Sequence, residues 1–514
     1  MRRAGLSLTR CQASRRAFST HVPDPGCQLT TLPNKIRVAT QTTPGHFSAV
    51  GLYIDAGSRF ESPSTSGSSH FLDRMAFKTT SNRTEEQMAD AVQSLGGQIL
   101  CSSSRESIMY QSSHFDRGTP QALSLIADTV LNPSFLPEEI EAHRDAARYE
   151  IRELSSKPEQ IIPEILHSVA YGGTGLGNPL MCPEERIDSI NGSTLRAFMK
   201  QWYRPERMVV AGAGMPHEQL VELTDTFFSS LKAAPELDAS TQQQPRAVPP
   251  LPLSSSSHPA VKRLSRYASF LYPNSASDDS ALANVTLGST YTGGHHFIYD
   301  RSAEFNHLYV GFEGAGIHDD DIYALATMQV LLGGGGSFSA GGPGKGMYSR
   351  LYTHILNRYP QIDHCASFHH IYTDSSLFGL FASFVPAVKG RRGGDRPRDI
   401  LPILVHQLSL LLYQPVPADE LQRAKNQLKS SLTMALESRA VEVEDLGRQI
   451  LVHGRKVSMD EMVEKIDRLG PSDITEVAQR VFGLQSGNKP TVVCLGHDDA
   501  ASWEQVFQKY HVAH

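Results

Sequence analysis

The sequence predicts an α+β protein of two similar domains, each a mainly antiparallel sheet packed with helices, joined by a linker. At 514 residues the chain is too long for one hydrophobic core. Residues 233–283 are rich in Pro, Ser and Gln and show no apolar periodicity, which is typical of a linker. Sequence motifs on one side of this segment recur on the other, which indicates two copies of one unit.

The recurring motif is IDSINGS at residues 187–193 and IDRLGPS at residues 466–472, at an offset of 279. A helical pattern follows each copy, and a strand pattern follows the helix, at residues 208–212 and 490–494. Agreement in both motif and element order favours duplication over chance.

The elements of the first half follow from local patterns. Alternating apolar and polar residues predict paired strands at 35–40 and 48–55, and a helix is expected over 70–78. A second helix begins at Thr84, which forms a capping box with Gln87, and ends at Gly96 and Gly97. The remaining predicted elements are strands at 97–103 and 107–115, helices at 121–130, 137–154 and 159–171, a helix from Ser193, a strand at 208–212 and a helix at 218–231.

The composition excludes several classes of function. A net charge of −6 argues against nucleic-acid binding and mildly favours a basic partner. No apolar run approaches the roughly 20 residues of a membrane span. The six cysteines are scattered without a CxxC pair, which indicates a reducing compartment, without a disulfide framework or a cysteine zinc site.

The N-terminus has the composition of a mitochondrial transit peptide. Five arginines precede the first acidic residue, Asp24, among Ser, Thr and Leu. Arginine at position 16 suggests cleavage before Ser19, so that residues 1–18 would be removed. The alternative is a merely basic tail.

Residues 333–346 contain eight glycines and lie between two apolar, helix-like segments. A flexible segment between buried elements is more often a binding loop than a spacer. A disordered insertion is the alternative. A phosphate-binding Walker loop is excluded because Ser339 and Gly346 occupy positions that need Gly and Ser or Thr. The candidate substrate-binding residues are Gly333, Gly334, Gly335, Gly336, Ser337, Phe338, Gly341, Gly342, Gly344, Lys345 and Gly346.

A degenerate metal motif lies on the first long helix. His70-Phe-Leu-Asp-Arg74 has the spacing of the inverted zinc motif H-x-x-E-H, and Glu150 follows 76 residues after Arg74. Arg74 takes the place of the second histidine and offers no lone pair, and Asp73 is shorter than the glutamate that activates water. We therefore expect no metal in this chain, and a polar contact or ion pair among His70, Arg74 and Glu150.

These features together resemble the pitrilysin-type zinc peptidases, over about residues 30–235 and 280–514. The most specific parts are FEGAG at 312–316, the glycine-rich stretch with its flanks at 331–351, LESR at 436–439 and EDLGRQ at 444–449. The resemblance implies a peptidase-like N-terminal domain at 26–232 and a second one at 284–514.

The resemblance also implies a function. It suggests the non-catalytic alpha subunit of a presequence-processing heterodimer, which binds basic presequences in the mitochondrial matrix while the beta subunit holds the zinc. It leaves open a peripheral association with the inner membrane. The alternatives are core subunit 2 of the respiratory cytochrome bc1 complex and an active zinc peptidase, and Arg74 argues against the latter.

Basic presequences should meet acidic side chains in such a chamber. Glu444 and Asp445 are the candidates proposed as substrate-binding residues. A solvated surface carboxylate is the alternative for each of them. Further acidic candidates are Glu304, Glu313, Asp319, Asp320, Asp321 and Glu437.

Overall fold

The computed structural model describes residues 26–233, 289–336, 347–387 and 394–514, which form two six-stranded sheets packed with helices. This confirms the predicted α+β fold of two similar domains. The predicted transit peptide, nearly all of the predicted linker and residues 337–346 of the glycine-rich stretch lie outside the described residues.

The first half builds one sheet in the order β1-β2-β6-β3-β5-β4, in which β2 and β6 run parallel and the other pairs are antiparallel. Its elements are β1 (Cys27–Thr31), β2 (Arg37–Gln41), β3 (Phe47–Ile54), α1 (Ser68–Arg74), α2 (Glu85–Ser94), β4 (Gln98–Ser103), β5 (Ile108–Phe115), α3 (Thr119–Leu131), α4 (Pro137–Ser155), α5 (Pro158–Ala170), α6 (Gly192–Trp202), β6 (Met208–Ala213) and α7 (His217–Phe228).

The second half builds a similar sheet in the order β7-β12-β8-β11-β10-β9, again with one parallel pair, β7 with β12. Five of its strands correspond to β2-β6-β3-β5-β4, and the sixth, β9, is added at the edge opposite to that of β1. Its elements are β7 (Gly294–Tyr299), β8 (Asn306–Gly314), α8 (Asp321–Leu332), β9 (Gly334–Gly336), a π-helical turn (Tyr352–Leu356), β10 (Ile362–Ile371), β11 (Ser376–Phe384), α9 (Pro397–Tyr413), α10 (Ala418–Ala435), α11 (Arg439–His453), α12 (Met459–Arg468), α13 (Pro471–Phe482), β12 (Thr491–Gly496) and α14 (Trp503–Lys509). The recurring motif precedes α6 and β6 in one half, and α13 and β12 in the other.

Local signals located most helix ends well, with one clear difference. The Thr84 hydroxyl accepts the Gln87 N–H at 3.3 Å and the Gln87 side chain accepts the Thr84 N–H at 3.1 Å, so the predicted capping box is present. The helix predicted over 70–78 ends at Arg74 instead. Phe77 has a φ of 59°, which is incompatible with a continuing right-handed helix.

Helix α5 belongs to the first half but packs on the sheet of the second. Its side chains Ile162 and Leu166 share one buried cluster with Tyr309, Val493 and Leu495. This face of the second sheet is apolar and needs a cover, and α5 supplies it.

Helix α11 makes the reciprocal exchange. Val443, Leu446 and Ile450 pack against Tyr53 and Val209 of the first sheet and are fully buried. Each sheet is therefore completed by a helix from the other half, and the two halves share their cores.

In the described ranges no single helix is long and apolar enough to cross a membrane; only α9 and α10 taken together, bent by 106° at their junction, reach that length and composition.

Candidate functional site

The N-terminus of α1 is held by Glu61, a residue for which the sequence offered no motif. Its carboxylate accepts the backbone N–H groups of Gly67 and Ser69, each at 2.7 Å. Gly67 has a φ of 87°, which favours glycine at this entry to the helix. Burial raises the pKa of Glu61 to about 7, and the hydrogen bonds from Ser69 and Gly67 oppose that rise.

The structure brings His70, Arg74 and Glu150 together, as the motif predicted. His70 Nε2 lies 3.3 Å from Glu150 Oε2, and Arg74 Nε donates to the same oxygen at 3.1 Å. A terminal guanidinium nitrogen of Arg74 contacts the other Glu150 oxygen. The glutamate of α4 is thus bound to a permanent cation on α1.

Asp73 serves a different purpose from the water-activating glutamate of the inverted zinc motif. Its Oδ2 accepts the backbone N–H of Ser103 at 2.8 Å and the Ser103 hydroxyl at 3.1 Å. These bonds fasten α1 to the end of β4.

These residues do not fit a catalytic zinc ion. The backbone N–H of Cys182 donates to His70 Nδ1 at 3.3 Å, so the neutral ring carries its proton on Nε2, facing Glu150. Arg74 brings positive charge and no lone pair to the second ligand position. With arginine at that position, His70 and Glu150 are the remaining ligands of the motif, fewer than the three that a catalytic zinc site needs.

This ion pair should make stability depend on acid pH. Hydrogen bonds from His70 and from Arg74 lower the pKa of Glu150 from an ordinary 4.5 to about 2. A lowered carboxylate pKa contributes stability above pH 4.5 that is lost as the pH falls toward 2. We expect Glu150→Gln to flatten the unfolding free energy between pH 4.5 and 2, measured by urea unfolding.

Glu153→Gln provides the matched control on the same helix. Glu153 is half exposed and approaches Lys157 only to 3.7 Å, so this change should leave the acid dependence as it is in the wild type. Equal pH profiles for Glu150→Gln and the wild type would contradict the assignment.

The predicted acidic residues Glu444 and Asp445 lie on α11 and already have partners. Glu444 Oε1 accepts from Arg448 Nε at 2.8 Å, and Arg448 also donates to Ser107 of the first half at 3.0 Å. Asp445 accepts from Gln449 at 2.8 Å and 2.9 Å. Both carboxylates remain partly exposed. A bound arginine would therefore have to share or replace these local donors.

Three of the further acidic candidates are also paired. Asp320 contacts Lys465 at 2.9 Å, Asp321 contacts Arg480 at 2.6 Å, and Glu313 accepts from the Ser375 hydroxyl at 3.0 Å. Their local partners lower the number of carboxylates that could bind a basic peptide without rearrangement.

The described start of the glycine-rich stretch is a strand. Gly333 ends α8 with a φ of 60°, and residues Gly334–Gly336 pair with β10 as the edge strand β9. At Gly334 an added Cβ would lie 2.1 Å from the Cys365 carbonyl oxygen, so only glycine fits this pairing. The substrate-binding role of Ser337, Phe338, Gly341, Gly342, Gly344, Lys345 and Gly346 stays a prediction, because they lie outside the described residues.

The two groups of predicted binding residues are held by separate elements. Glu444 and Asp445 lie on α11, which packs on the first sheet, whereas Gly334–Gly336 form the edge strand of the second sheet. Within the described ranges, no hydrogen bond or ion pair joins Glu444 or Asp445 to residues 333–336.

A buried arginine joins the two domains, and sequence reasoning missed it. The Arg59 guanidinium donates to both Asp374 oxygens at 2.8 Å and 2.5 Å, and to Glu106 at 2.5 Å. The Glu106 carboxylate also accepts the backbone N–H of Thr373 at 3.0 Å. Because the members are far apart in the chain and form no motif, no local signal could have found this cluster.

Solved structures share the fold of this chain. A protease from Helicobacter pylori has a TM-score of 0.72 at 18% identity, with 92% of this chain and 99% of that chain covered. A chain of complex III2 from Candida albicans, bound to Inz-5, has a TM-score of 0.71 at 16% identity, with 94% and 100% covered. At these identities the similarity shows the fold alone.

The sequence matches two family models. The model described as insulinase (peptidase family M16) matches residues 37–184, and the model described as peptidase M16 inactive domain matches residues 189–428.

Mitochondrial-processing peptidase alpha subunits are among the curated relatives of this chain. The Neurospora crassa subunit is 43% identical, with 93% of this chain and 88% of the relative covered. The probable subunit of Schizosaccharomyces pombe is 38% identical, with 91% and 85% covered, and the Homo sapiens subunit is 32% identical, with 93% and 84% covered. The predicted resemblance to pitrilysin-type peptidases is confirmed. The chain belongs to peptidase family M16, the insulinase family, with mitochondrial-processing peptidase alpha subunits among its relatives.

Proposed function

We propose that this chain is the substrate-recognition, non-catalytic alpha subunit of a mitochondrial processing peptidase, which removes N-terminal presequences from imported precursors. The observation that carries this proposal is the Arg74–Glu150 ion pair, which stands where a catalytic M16 site would need a second metal-binding histidine. A beta subunit of the same build would form the heterodimer and supply the zinc.

The names of the relatives and the N-terminus support the location. Mitochondrial-processing peptidase alpha subunits align over about nine-tenths of this chain, and residues 1–18 have transit-peptide composition. We therefore propose that the protein is located in the mitochondrial matrix and that residues 1–18 are removed.

The bc1 core subunit is less well supported. The complex III2 chain is 16% identical in sequence to this chain, whereas the Neurospora crassa alpha subunit is 43% identical.

Cleavage and presequence binding should be measured for the chain alone, the beta subunit alone and the reconstituted pair. We expect efficient cleavage only from the pair. Failure of the chain to stimulate its partner, together with co-purification with the respiratory complex, would favour the bc1 alternative.

Replacing Arg74 tests the loss of the metal site directly. We expect Arg74→His with Asp73→Glu to create a zinc site that the wild type lacks at this position, because His70 and Glu150 are already adjacent. Affinity should stay modest, since Asp73→Glu gives up the bonds to Ser103. To bind the ion through Nε2, His70 must also move its ring proton to Nδ1 and lose the bond from the Cys182 N–H. Zinc binding should be measured on the purified full chain by metal analysis.

The control for this experiment is the same double variant with His70→Ala, so that only zinc held by the motif is counted. The expectation is that the added zinc disappears in the triple variant. If the wild-type chain contained zinc and the single variant His70→Ala lost it, the proposed absence of metal at this motif would be contradicted.

Charge reversal on α11 tests substrate binding. We expect Glu444→Lys and Asp445→Lys each to raise the Michaelis constant of the heterodimer for a basic presequence by about two- to fivefold, the range of one partly exposed charge contact. The salt dependence of that constant should become flatter.

Glu464→Lys is the matched control. Glu464 pairs with Arg468 one turn along α12, as Glu444 pairs with Arg448 along α11. Equal Michaelis constants for the control and the α11 variants at low salt would assign Glu444 and Asp445 to ordinary surface pairing. Thermal unfolding of each variant separates loss of binding from loss of fold.

A further inference from the structure

Three potential metal ligands of different types converge in the second domain, away from the His70 motif. His295, Cys494 and Asp499 place their donor atoms within 4.8 Å of one another. In the described part of the chain, no other group of three or more His, Cys, Asp or Glu side chains meets this condition. His295 Nε2 lies 2.8 Å from Asp499 Oδ1.

The fold explains why these residues meet. Strands β7 and β12 run parallel with His295 opposite Val492, so His295 and Cys494 project from the same face of the sheet. Asp499 follows in the turn between β12 and α14. The Trp503 ring of α14 stacks on the His295 ring at 6.2 Å between centroids. A ligand held here would tie β7 to the β12–α14 turn.

Solvent can reach the cluster from the side of His295 and Asp499, whereas the sulfur of Cys494 is shielded from solvent. The side chains of His295 and Asp499 are 25% and 35% exposed, whereas Cys494 is fully buried. Burial raises the pKa of the Cys494 thiol to about 12, so it makes a poor nucleophile and a Cys-His-Asp hydrolase is disfavoured. A divalent cation entering from the open side can still deprotonate the thiol by coordinating the sulfur.

We propose that His295, Cys494 and Asp499 bind one Zn²⁺ ion. One imidazole nitrogen, one thiolate sulfur and one carboxylate oxygen form a donor set that suits this borderline-soft ion. The thiol proton passes to solvent on binding, and water completes the tetrahedral coordination. This site departs from the expectation of no metal in this chain, and it is independent of the recognition role proposed above.

The test uses the full chain, stripped of metal with a chelator and then titrated with Zn²⁺, and separately with Co²⁺ as a spectroscopic probe. We expect one ion per chain and a rise of several degrees in the melting temperature, since the ion binds the folded state. Co²⁺ should give a thiolate-to-metal charge-transfer band. Affinity should increase with pH because binding releases a proton.

Ligand variants decide whether the ion sits in this cluster. Cys494→Ala, His295→Gln and Asp499→Asn should each weaken Zn²⁺ binding by about 100-fold or more, and Cys494→Ala should abolish the cobalt band. Asp499→Asn keeps an oxygen acceptor for the Ala500 N–H, 2.7 Å away in the wild type. It therefore tests the site even if Cys494→Ala does not fold.

Two variants serve as matched controls. Cys365 is an equally buried thiol of the same core, and His296 neighbours His295 on the opposite face of β7. Cys365→Ala and His296→Gln should retain the ion and the band. A wild-type chain that gives no thiolate–cobalt band and no Zn²⁺-dependent shift in melting temperature would overturn the proposal, as would wild-type Zn²⁺ affinity in all three ligand variants.

Discussion

Deleting residues 337–346 is expected to weaken the binding of a basic presequence peptide to the heterodimer by about tenfold or more, equivalent to roughly 1.4 kcal/mol. Dimer formation and the partner's zinc should be unaffected. The deletion begins after Gly336 because Gly334–Gly336 pair with β10, and it ends before Met347. A short bridge replaces the removed segment. Fluorescence binding of a labelled presequence measures the effect.

A second variant distinguishes the side chains of this stretch from its length. Replacing residues 337–346 with ten Gly and Ser residues removes Phe338 and Lys345 while keeping the spacing. If apolar contact from Phe338 supports binding, this variant should lie between the wild type and the deletion. Equal affinity of all three proteins would exclude a recognition role for the segment. Loss of the heterodimer would instead indicate a role in assembly.

Gly447→Ala is expected to destabilise the chain by about 1–3 kcal/mol or more, the usual range for overpacking a core. A Cβ at this position of α11 would lie 2.1 Å from the Tyr53 ring of the first sheet. Tyr53 is fully buried and donates to Gln111 at 2.8 Å, and Gln111 donates to the Ala440 carbonyl at 3.0 Å. The ring cannot shift without disturbing bonds that hold α11 to the sheet.

Chemical unfolding of the full chain measures this loss, with Gly470→Ala as the control. At Gly470 the nearest atom to an added Cβ is 3.6 Å away, so we expect a much smaller effect there. Tyr53→Leu in the Gly447→Ala background should recover part of the stability, because the two sites are in contact and their effects are coupled. An unchanged unfolding midpoint for Gly447→Ala would show that α11 is not packed as described.

Local sequence patterns determined the capping of one helix, the nature of the His70–Arg74 motif and the presence of two similar units. The capping box at Thr84 and the His70–Arg74 spacing are properties of a single helix, where neighbours at i and i+4 share a face whatever surrounds them. The inability of Arg74 to bind metal is a property of the guanidinium itself. The recurring motif before α6 and α13 indicated two copies of one unit, because a repeated order of elements implies a repeated fold.

Only the tertiary structure decided which surfaces meet. Alternation along a strand shows that a face is apolar but not which helix covers it, so the exchange of α5 and α11 between the halves could not be predicted. The same holds for the Arg59–Asp374 pair and for the meeting of His295 with Cys494. Residues so far apart in the chain come together through sheet order and strand register, which depend on the burial of the whole molecule.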